Sequence, residues 1–404
     1  MDVPTSHSGL TGDRRDRNRQ LNTEEFERGA TVLKSRPRVL FVELTENCNL
    51  SCPMCRSNSK FDKAKNMSRE LFERVASELF DTAEIVDLRG WGESTILRDF
   101  PDYVDRTLAY GCRLRIVTNL TVPNEELWRK LMRHKALIAV SLDAAEQSTL
   151  SVLRRGAKLD VILRNLEILA DEGRACGTGT DNVHLNVVVQ PAALGELREI
   201  VRLAGRLGFR VHLNPLSAGH DDPDNLRFHR QELAEALRET AELAEAENVD
   251  VRLAAALDEL WALPQHAAHT CTHPWMYCYV NYRGMVGFCD HLIGDPGDRY
   301  LLGDLRTHSF EEIWNGDAYR QLRAEHVRWE QGISARFEEC NWCYRNRYTD
   351  FEQETYPPYE SHTVPLTPGS CPAMSLTGTQ TSAPVPRRLL PVVETGTRSS
   401  TCGS

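Results

Sequence analysis

Three cysteines close together in the sequence are the first residues whose type and spacing indicate chemistry. Cys48, Cys52 and Cys55 follow one another at intervals of four and three residues, directly after a short apolar run. Three thiolates on one loop can converge on an iron–sulfur cube, which then keeps one iron open to an external ligand. A catalytic zinc site also uses three protein ligands, although it usually includes His or a carboxylate. The spacing therefore predicts a metal or cluster site at this loop.

A second group of cysteines lies in the C-terminal part of the chain. Cys271 is followed by Cys289 and then by the pair Cys340 and Cys343, which are separated by two residues. Four thiolates are enough to close an iron–sulfur cluster or a structural zinc site completely. Spacing alone slightly favours zinc.

The elements that must position these residues alternate between two patterns. Short apolar segments of strand character alternate with amphipathic segments of helical spacing, which predicts a parallel sheet with helices outside it. Six such units fit a partial barrel or an open sheet, and in either form functional residues belong at the C-terminal ends of the strands. The strand segments are 38–44, 83–88, 114–118, 137–142, 184–190 and 210–214; the helical segments are 68–80, 100–110, 124–134, 159–172 and 194–207.

Composition and charge exclude several classes of protein. The 404 residues include 48 Lys plus Arg and 58 Asp plus Glu, so the net charge is −10. No apolar run is long enough to span a membrane, and the polar N-terminus lacks a secretory signal, so we expect a cytoplasmic protein. The acidic balance argues against nucleic-acid binding and suits a cationic partner. Twelve cysteines without an export signal indicate metal ligation or catalysis rather than disulfides.

Changes in composition along the chain predict four regions. Residues 1–36 are expected to form a flexible N-terminal arm, with one short helix near residues 24–33, and residues 37–255 to form the α/β core. Residues 256–352 contain a predicted β-hairpin around residues 281–284 and a helix over 309–323. Residues 353–404 are rich in Pro, Ser, Thr and Gly and are predicted to be mostly disordered.

The loop carrying Cys48, Cys52 and Cys55 resembles the signature of the radical S-adenosylmethionine (SAM) superfamily. The resemblance implies a partial (β/α)6 barrel, in agreement with the six units, and a [4Fe–4S] cluster whose open iron is chelated by SAM. Cleavage of SAM would yield a 5′-deoxyadenosyl radical that abstracts a substrate hydrogen. The cofactor carries this chemistry, and the protein orients the reactants and excludes water.

Residues at the ends of later strands resemble family positions near SAM. Glycines let the backbone approach a ligand closely, and a carboxylate can pair with the ammonium group of SAM. Met54 occupies the position at which the family usually has an aromatic residue near the adenine of SAM, and a methionine can also pack there. Asp143 could lie near SAM or could instead cap the next helix. The candidates are Gly90, Gly92 and Glu93 after the second strand, Thr118 and Asn119 after the third, and Ser141 and Asp143 after the fourth.

The second cysteine group resembles the auxiliary-cluster module of radical SAM enzymes. Twelve residues separate Cys271 from Gly284 and four separate Gly284 from Cys289, as in that module. The longer version, the SPASM domain, continues with further cysteines, whereas here none follows Cys343 before Cys371. The resemblance therefore implies the abbreviated twitch form with one auxiliary [4Fe–4S] cluster, which gives two clusters and SAM as cofactors.

The layout is similar to that of aminocyclitol and aminoglycoside dehydrogenases. We therefore expect oxidation of a secondary alcohol of a small, cationic amino sugar, with the auxiliary cluster accepting an electron and a flavodoxin or ferredoxin supplying reductant. Antibiotic biosynthesis would be the context. His184, Gln190, His212 and Asn214 lie on or near late strands, but the sequence does not assign the substrate base among them.

Three alternatives stay open. An epimerase would return a hydrogen from a thiol, for which Cys176 before the fifth strand is the candidate. A peptide-modifying maturase is common among relatives with auxiliary clusters, although only about 36 residues precede the first strand and such enzymes often carry a longer peptide-binding wing. A zinc-stabilised binding module without catalysis is the third.

Overall fold

The structure of the chain is a computed structural model that describes residues 8–55, 61–218, 221–254, 270–289, 299–341, 344 and 363–368. Within these residues, eleven strands form one sheet in the order β10-β9-β8-β1-β2-β3-β4-β5-β6-β7-β11. The strands are Val39–Val42 (β1), Ile85–Asp87 (β2), Arg113–Thr118 (β3), Leu137–Ser141 (β4), Val183–Val189 (β5), Arg210–Pro215 (β6), Val251–Ala254 (β7), Tyr277–Val280 (β8), Met285–Gly287 (β9), Leu301–Asp304 (β10) and Thr363–Pro365 (β11).

Strands β1 to β7 pair in parallel and in sequence order, and helices connect most of them. The predicted α/β fold with a parallel sheet is therefore confirmed, and β7 adds a seventh parallel strand that the sequence analysis did not identify. The helices are Ser8–Glu27 (α1), Arg69–Leu79 (α2), Phe100–Ala109 (α3), Glu125–Arg133 (α4), Gln147–Leu153 (α5), Leu159–Ala175 (α6), Leu197–Leu207 (α7), Arg230–Ala246 (α8), His273–Met276 (α9), Phe310–Trp314 (α10) and Asp317–Val327 (α11).

The two faces of the parallel sheet differ in chemistry, as strand β5 illustrates. Val183, Leu185 and Val187 are completely buried on the face that the helices cover. His184 and Asn186 alternate with them and keep accessible surface on the opposite face, which we call the interior face. Because parallel strands end at the same edge, the loops after β1 to β6 meet there, and this edge carries most of the residues predicted to do chemistry.

The N-terminal region differs from the flexible arm predicted for residues 1–36. Helix α1 spans 20 residues, and its Asn22 side chain is buried, donating hydrogen bonds to the Ser35 hydroxyl and to the Trp275 backbone carbonyl, each at 2.9 Å. Arg15 also donates to the backbone carbonyl of Tyr110 at 3.0 Å. This docking has little signature in the sequence, because most of α1 is polar and it attaches mainly through hydrogen bonds, with the Phe26 ring packed edge-on against Trp275.

The C-terminal region forms the predicted hairpin and extends the sheet. β8 and β9 are antiparallel, and β8 also pairs in parallel with β1, so this region joins the edge of the core sheet. The helix predicted over 309–323 is interrupted at Asn315 and Gly316, which separate α10 from α11. Part of the tail predicted to be disordered is strand β11, which pairs with β7. Residues 353–362 and 369–404 lie outside the described residues.

No helix among the described residues is both long and apolar enough to cross a membrane.

Replacing Glu25 by Ala should lower the free energy of unfolding by about 3 kcal/mol, because four donors, including the Arg28 guanidinium at 3.3 Å, lose a buried acceptor. The Glu25 carboxylate has no exposed surface and accepts hydrogen bonds from the Lys34 and Ser35 backbone N–H groups and from the Ser35 hydroxyl. Denaturant titration would measure the change, with Glu24→Ala as the exposed control. If both substitutions lowered the free energy of unfolding by the same small amount, residues 1–36 would behave as the flexible arm predicted from the sequence.

Candidate active site

The loop with Cys48, Cys52 and Cys55 lies at the C-terminal edge of β1, as predicted. Backbone hydrogen bonds define its shape: Cys55 donates to the Cys52 carbonyl at 3.1 Å, and Ser51 donates to the Arg155 carbonyl at 3.0 Å. The Cys48 Sγ accepts the Leu50 backbone N–H at 3.4 Å. The loop is therefore anchored to the segment after α5, and Cys52 is buried while the other two thiols are half-buried.

Electrostatics link the three thiols to one another. Burial raises the pKa of Cys48 to about 11, and the neighbouring Cys52 and Cys55 raise it further. Burial also raises the pKa of Cys52. The Cys48 and Cys52 thiols therefore favour the protonated form at neutral pH, and cluster binding must release their protons.

The chemistry of the donor set fits an iron–sulfur cluster. The loop offers three thiolates, which can hold a cube and leave one iron open to an external ligand. A catalytic zinc site usually includes His or a carboxylate among its three protein ligands. The loop thus suits an iron–sulfur cube with three protein ligands.

Gly92 has no room for a side chain because the cysteine loop packs against it. A Cβ at this position would lie 2.3 Å from the Asn47 backbone oxygen and 2.6 Å from that of Thr45. We predicted that the glycines after β2 allow a ligand to approach, whereas Gly92 allows the approach of the residues leading into the cysteine loop. The adjacent Glu93 N–H donates to the Asn47 carbonyl at 2.8 Å.

Glu93 uses its carboxylate within the protein. It is buried and accepts hydrogen bonds from the Thr118 hydroxyl at 2.9 Å, the Asn119 backbone N–H at 2.6 Å and the Thr95 hydroxyl at 2.5 Å. Burial raises the pKa of this carboxyl in spite of those donors. Glu93 thus links the ends of β2 and β3, and its pairing with the SAM ammonium group stays a prediction.

Asn119 connects this link to the cysteines. Its side-chain amide lies 3.8 Å from the Cys48 Sγ and donates to the Asn49 Oδ1 at 2.9 Å. The predicted residues Glu93, Thr118 and Asn119 are therefore brought together with Cys48 at one edge of the sheet.

Asp143 neither caps a helix nor faces solvent. Helix α5 has no side-chain cap, and the Asp143 carboxylate instead accepts the Val188 backbone N–H at 2.8 Å and pairs with Arg154 at 2.8 Å. The charge of Arg154 acts on Cys52 and Cys55. Arg154 was missed by the sequence analysis, because an arginine after a short helix has no distinguishing spacing.

Two buried polar atoms at this edge have no hydrogen-bond partner among the described residues. They are the Ser94 Oγ, next to Glu93, and the Gln190 Nε2, directly after β5. Burying such groups without partners is costly, so they fit a region where a polar ligand binds. Ser141 is buried at the end of β4, and Met54 is half-buried in the cysteine loop. Both positions are compatible with a ligand bound at this edge of the sheet.

The interior face below this edge carries a polar cluster. The rings of His184 and His212 stack with centroids 4.1 Å apart, and the Asn214 amide donates to Asn186 at 2.6 Å. The sequence does not decide which face of the sheet each polar side chain of β5 and β6 takes. In the structure His184, His212 and Asn214 lie on the interior face.

Both imidazoles of the interior face are neutral at pH 7. Burial, the largest cause, lowers the pKa of His212 to about 4 and lowers that of His184 as well. The charges that act on them most strongly are those of four arginines and one aspartate, namely Arg89, Arg115, Arg210, Arg252 and Asp250. These arginines are themselves ion-paired, Arg89 and Arg115 with Asp87, and Arg210 and Arg252 with Asp250.

Cys176 lies away from this edge, contrary to the predicted role as hydrogen donor. It follows α6 and is exposed, with its Sγ 3.2 Å from the Glu172 carboxylate. The segment then enters β5 at its N-terminal end, the edge opposite the cysteine loop. Hydrogen bonding to Glu172 raises the pKa of the thiol.

The second cysteine group is partly described. Cys289 and Cys340 are buried and Cys271 is half-buried, while Cys343 lies outside the described residues. The Tyr344 hydroxyl accepts the Cys271 backbone N–H at 2.9 Å. This contact brings the segment that carries Cys340 to Cys271.

Comparison with protein families identifies both regions. A model of the radical SAM superfamily matches residues 42–204, and a model of the SPASM iron–sulfur cluster-binding domain matches residues 271–344. The first match contains Cys48, Cys52 and Cys55, and the second begins at Cys271 and contains the other three cysteines of its group. The predicted cofactors, SAM and two [4Fe–4S] clusters, are thereby confirmed.

Similar proteins include maturases. The chain is 27% identical over 314 residues to mycofactocin maturase MftC of Mycolicibacterium smegmatis, covering 74% of this chain and 75% of that protein. It is also 27% identical to the MftC of Mycobacterium ulcerans, over 78% of this chain and 84% of that protein.

The fold is similar to that of solved radical SAM enzymes. Streptococcus suis SuiB bound to S-adenosylmethionine superposes with a TM-score of 0.58 at 14% identity, covering 76% of this chain and 72% of SuiB. The structure of anSMEcpe with bound AdoMet gives a TM-score of 0.56 at 15% identity, over 79% and 92%. These likenesses support the radical SAM fold.

Replacing Gly92 by Ala should prevent assembly of the cluster at Cys48, Cys52 and Cys55, because the new Cβ forces the backbone around Asn47 away. Iron content after anaerobic reconstitution should fall from about eight to about four per chain. Gly195→Ala is the matched control, since no atom lies within 4 Å of its Cβ position. Full iron content in Gly92→Ala would show that this close contact is not required.

Proposed function

We propose that this chain, which contains a radical SAM domain followed by a SPASM domain, is a radical SAM enzyme that modifies a peptide. The observation that carries the enzymatic part is the convergence at one sheet edge of three thiols, the buried Glu93–Asn119 link and the buried Arg154–Asp143 pair. The peptide part is supported by the similarity to the MftC maturases. The SuiB fold neighbour was also solved with its precursor peptide SuiA.

We assign the two cysteine groups to the two clusters. Cys48, Cys52 and Cys55 hold the cluster that binds SAM, and Cys271, Cys289, Cys340 and Cys343 hold the auxiliary cluster. When bound, the reduced cluster and SAM supply a 5′-deoxyadenosyl radical that abstracts hydrogen from the substrate. Four thiolates leave the auxiliary cluster without an open iron, which suits electron transfer.

The chain's own residues position the reactants. Glu93 holds the ends of β2 and β3 together through its hydrogen bonds with Thr118 and Asn119. The Asn119 side-chain amide also lies 3.8 Å from the Cys48 Sγ, so it links these strand ends to the cysteine loop. Arg154 places a positive charge beside Cys52 and Cys55, where the thiolates of a bound cluster are negative. The buried edge excludes water from this region.

The peptide substrate replaces the cationic amino sugar as the preferred class. The expectation of an amino sugar came from the resemblance to aminocyclitol and aminoglycoside dehydrogenases, and the net charge of −10 was consistent with it. The similarity to the MftC maturases favours a peptide instead. Dehydrogenation of an aminocyclitol by the same radical chemistry is the alternative, and a flavodoxin or ferredoxin is the proposed electron donor in either case.

Removing each cysteine group should remove one cluster independently. The triple substitution Cys48→Ala, Cys52→Ala and Cys55→Ala should abolish formation of 5′-deoxyadenosine and leave about four irons per chain. The double substitution Cys271→Ala and Cys289→Ala should also leave about four irons but keep SAM cleavage. Anaerobic iron and sulfide analysis with chromatography of the nucleoside product would measure both, and one zinc per chain would refute the enzyme assignment.

The substrate class can be tested by incubating the reduced holoenzyme and SAM with two sets of compounds. One set contains short peptides encoded beside the gene, and the other contains aminocyclitols. We expect a mass change in a peptide together with 5′-deoxyadenosine, detected by mass spectrometry. An aminocyclitol product two mass units lighter would support dehydrogenation instead.

Cys176→Ser should leave product formation unchanged within about twofold, because the thiol is exposed at the edge of the sheet opposite the cysteine loop. Turnover with the identified substrate would measure it. Loss of product with continued SAM cleavage would support the hydrogen-donor role.

A further inference from the structure

Glu43 is a buried carboxylate that the proposed chemistry does not use. It directly follows β1 and is only 1% exposed. β1 lies between β2 of the core and β8 of the C-terminal region, and Glu43 therefore lies where the two regions meet at the edge of the candidate active site.

The donors that bind Glu43 come from both sides of this junction. On the core side, the Trp91 backbone N–H donates to Oε1 at 2.9 Å. On the other side, the Tyr279 hydroxyl and the Tyr282 backbone N–H donate to the same carboxylate. The Glu43 backbone N–H also donates to the Val280 carbonyl at 2.9 Å, which continues the pairing of β1 with β8.

We call residues 90–93 the glycine loop and residues 277–287 the auxiliary hairpin. The glycine loop leads into Glu93, and the auxiliary hairpin lies between Cys271 and Cys289 in the sequence. Glu43 thus contacts one segment next to each cysteine group.

Gly90 shows how closely the glycine loop fits this carboxylate. A Cβ at Gly90 would lie 2.2 Å from the Glu43 Cγ and 2.6 Å from Oε1. The side chain of Glu43 therefore occupies the space that any other residue at position 90 would need.

The carboxylate is energetically costly in this position. Burial raises the pKa of Glu43 to about 7, and the nearby Glu46 charge adds to the effect. A buried charge is tolerated only where donors converge on it. An apolar side chain would avoid the cost, but it could not bind the backbone N–H groups of two separate loops.

We propose that Glu43 is a positioning residue that fixes the glycine loop relative to the auxiliary hairpin and thereby sets the geometry of the SAM site. Glu43 acts through Trp91 and the neighbouring loop rather than by touching the reacting atoms. The proposal depends on the radical SAM domain and is independent of whether the substrate is a peptide.

The test uses the anaerobically reconstituted holoenzyme and three variants. Glu43→Gln keeps the size of the side chain but replaces one acceptor oxygen with a donor, and Tyr279→Phe removes one of the donors to Glu43. Glu84→Gln is the control, because Glu84 is also buried and pairs with Arg38 at 2.6 Å, but precedes β2 at the opposite edge of the sheet.

Two readouts other than turnover are measured. Hydrogen exchange, followed by mass spectrometry, reports on the glycine loop and the auxiliary hairpin. The change in the electron paramagnetic resonance spectrum of the reduced protein on titration with SAM gives the SAM affinity.

We expect Glu43→Gln to increase exchange in both segments and to weaken SAM binding about tenfold, since a charge-assisted hydrogen bond is lost. Tyr279→Phe should act in the same direction and more weakly, while Glu84→Gln leaves both segments and the affinity unchanged. Unchanged SAM affinity in Glu43→Gln and Tyr279→Phe would overturn the proposal, as would an equal loss in Glu84→Gln. If the variants change the SAM affinity as expected but the enzyme modifies no peptide, only the proposed substrate is refuted.

Discussion

The hydrogen bonds of the Glu93 carboxylate are the interaction on which the arrangement of the candidate active site depends. A buried carboxylate must be satisfied by donors, and Glu93 finds them in Thr95, Thr118 and the Asn119 backbone. Its own N–H binds the Asn47 carbonyl immediately before Cys48. One residue therefore fixes the ends of β1, β2 and β3 relative to one another, and the three thiols take their positions from that alignment.

The same edge joins the two cofactor regions. Strand β1 pairs with β2 on one side and with β8 on the other, so the SPASM region continues the core sheet instead of being attached by a linker alone. Helix α1 adds a second connection, because Asn22 binds the Trp275 carbonyl next to β8. A fixed geometry between the regions is what electron transfer between a substrate and an auxiliary cluster requires.

Charge illustrates why a property of the whole chain does not describe a site. The net charge of −10 is the sum over all 404 residues, and most charged side chains lie on the surface, where solvent screens them. Around His184 and His212 the strongest influences come mainly from arginines, and both imidazoles are neutral as a result of burial and these charges. These arginines are in turn paired with Asp87 and Asp250, so the charge near the imidazoles depends on local ion pairs and not on the net charge of the chain.

The sequence by itself determined the order of strands and helices in the core, the two cysteine groups and the family resemblance. These features depend on hydrophobic periodicity and on spacing within short segments, which are local properties of the chain. The short segment before β1 argues against a peptide substrate, whereas the similarity to maturases favours one. Length before the first strand is a weak guide to substrate, because α1 uses that stretch to dock against the core.

Only the tertiary structure decided what the polar residues at the strand ends do. Glu93 and Asp143 bind partners more than ten residues away in the sequence: Asn119 for Glu93, and Arg154 and Val188 for Asp143. Asp143 does not cap the helix that follows it. Cys176 was predicted at the active edge and lies at the opposite one. A carboxylate or thiol has the same local pattern whichever partner it meets, and that partner is set by the packing of distant segments.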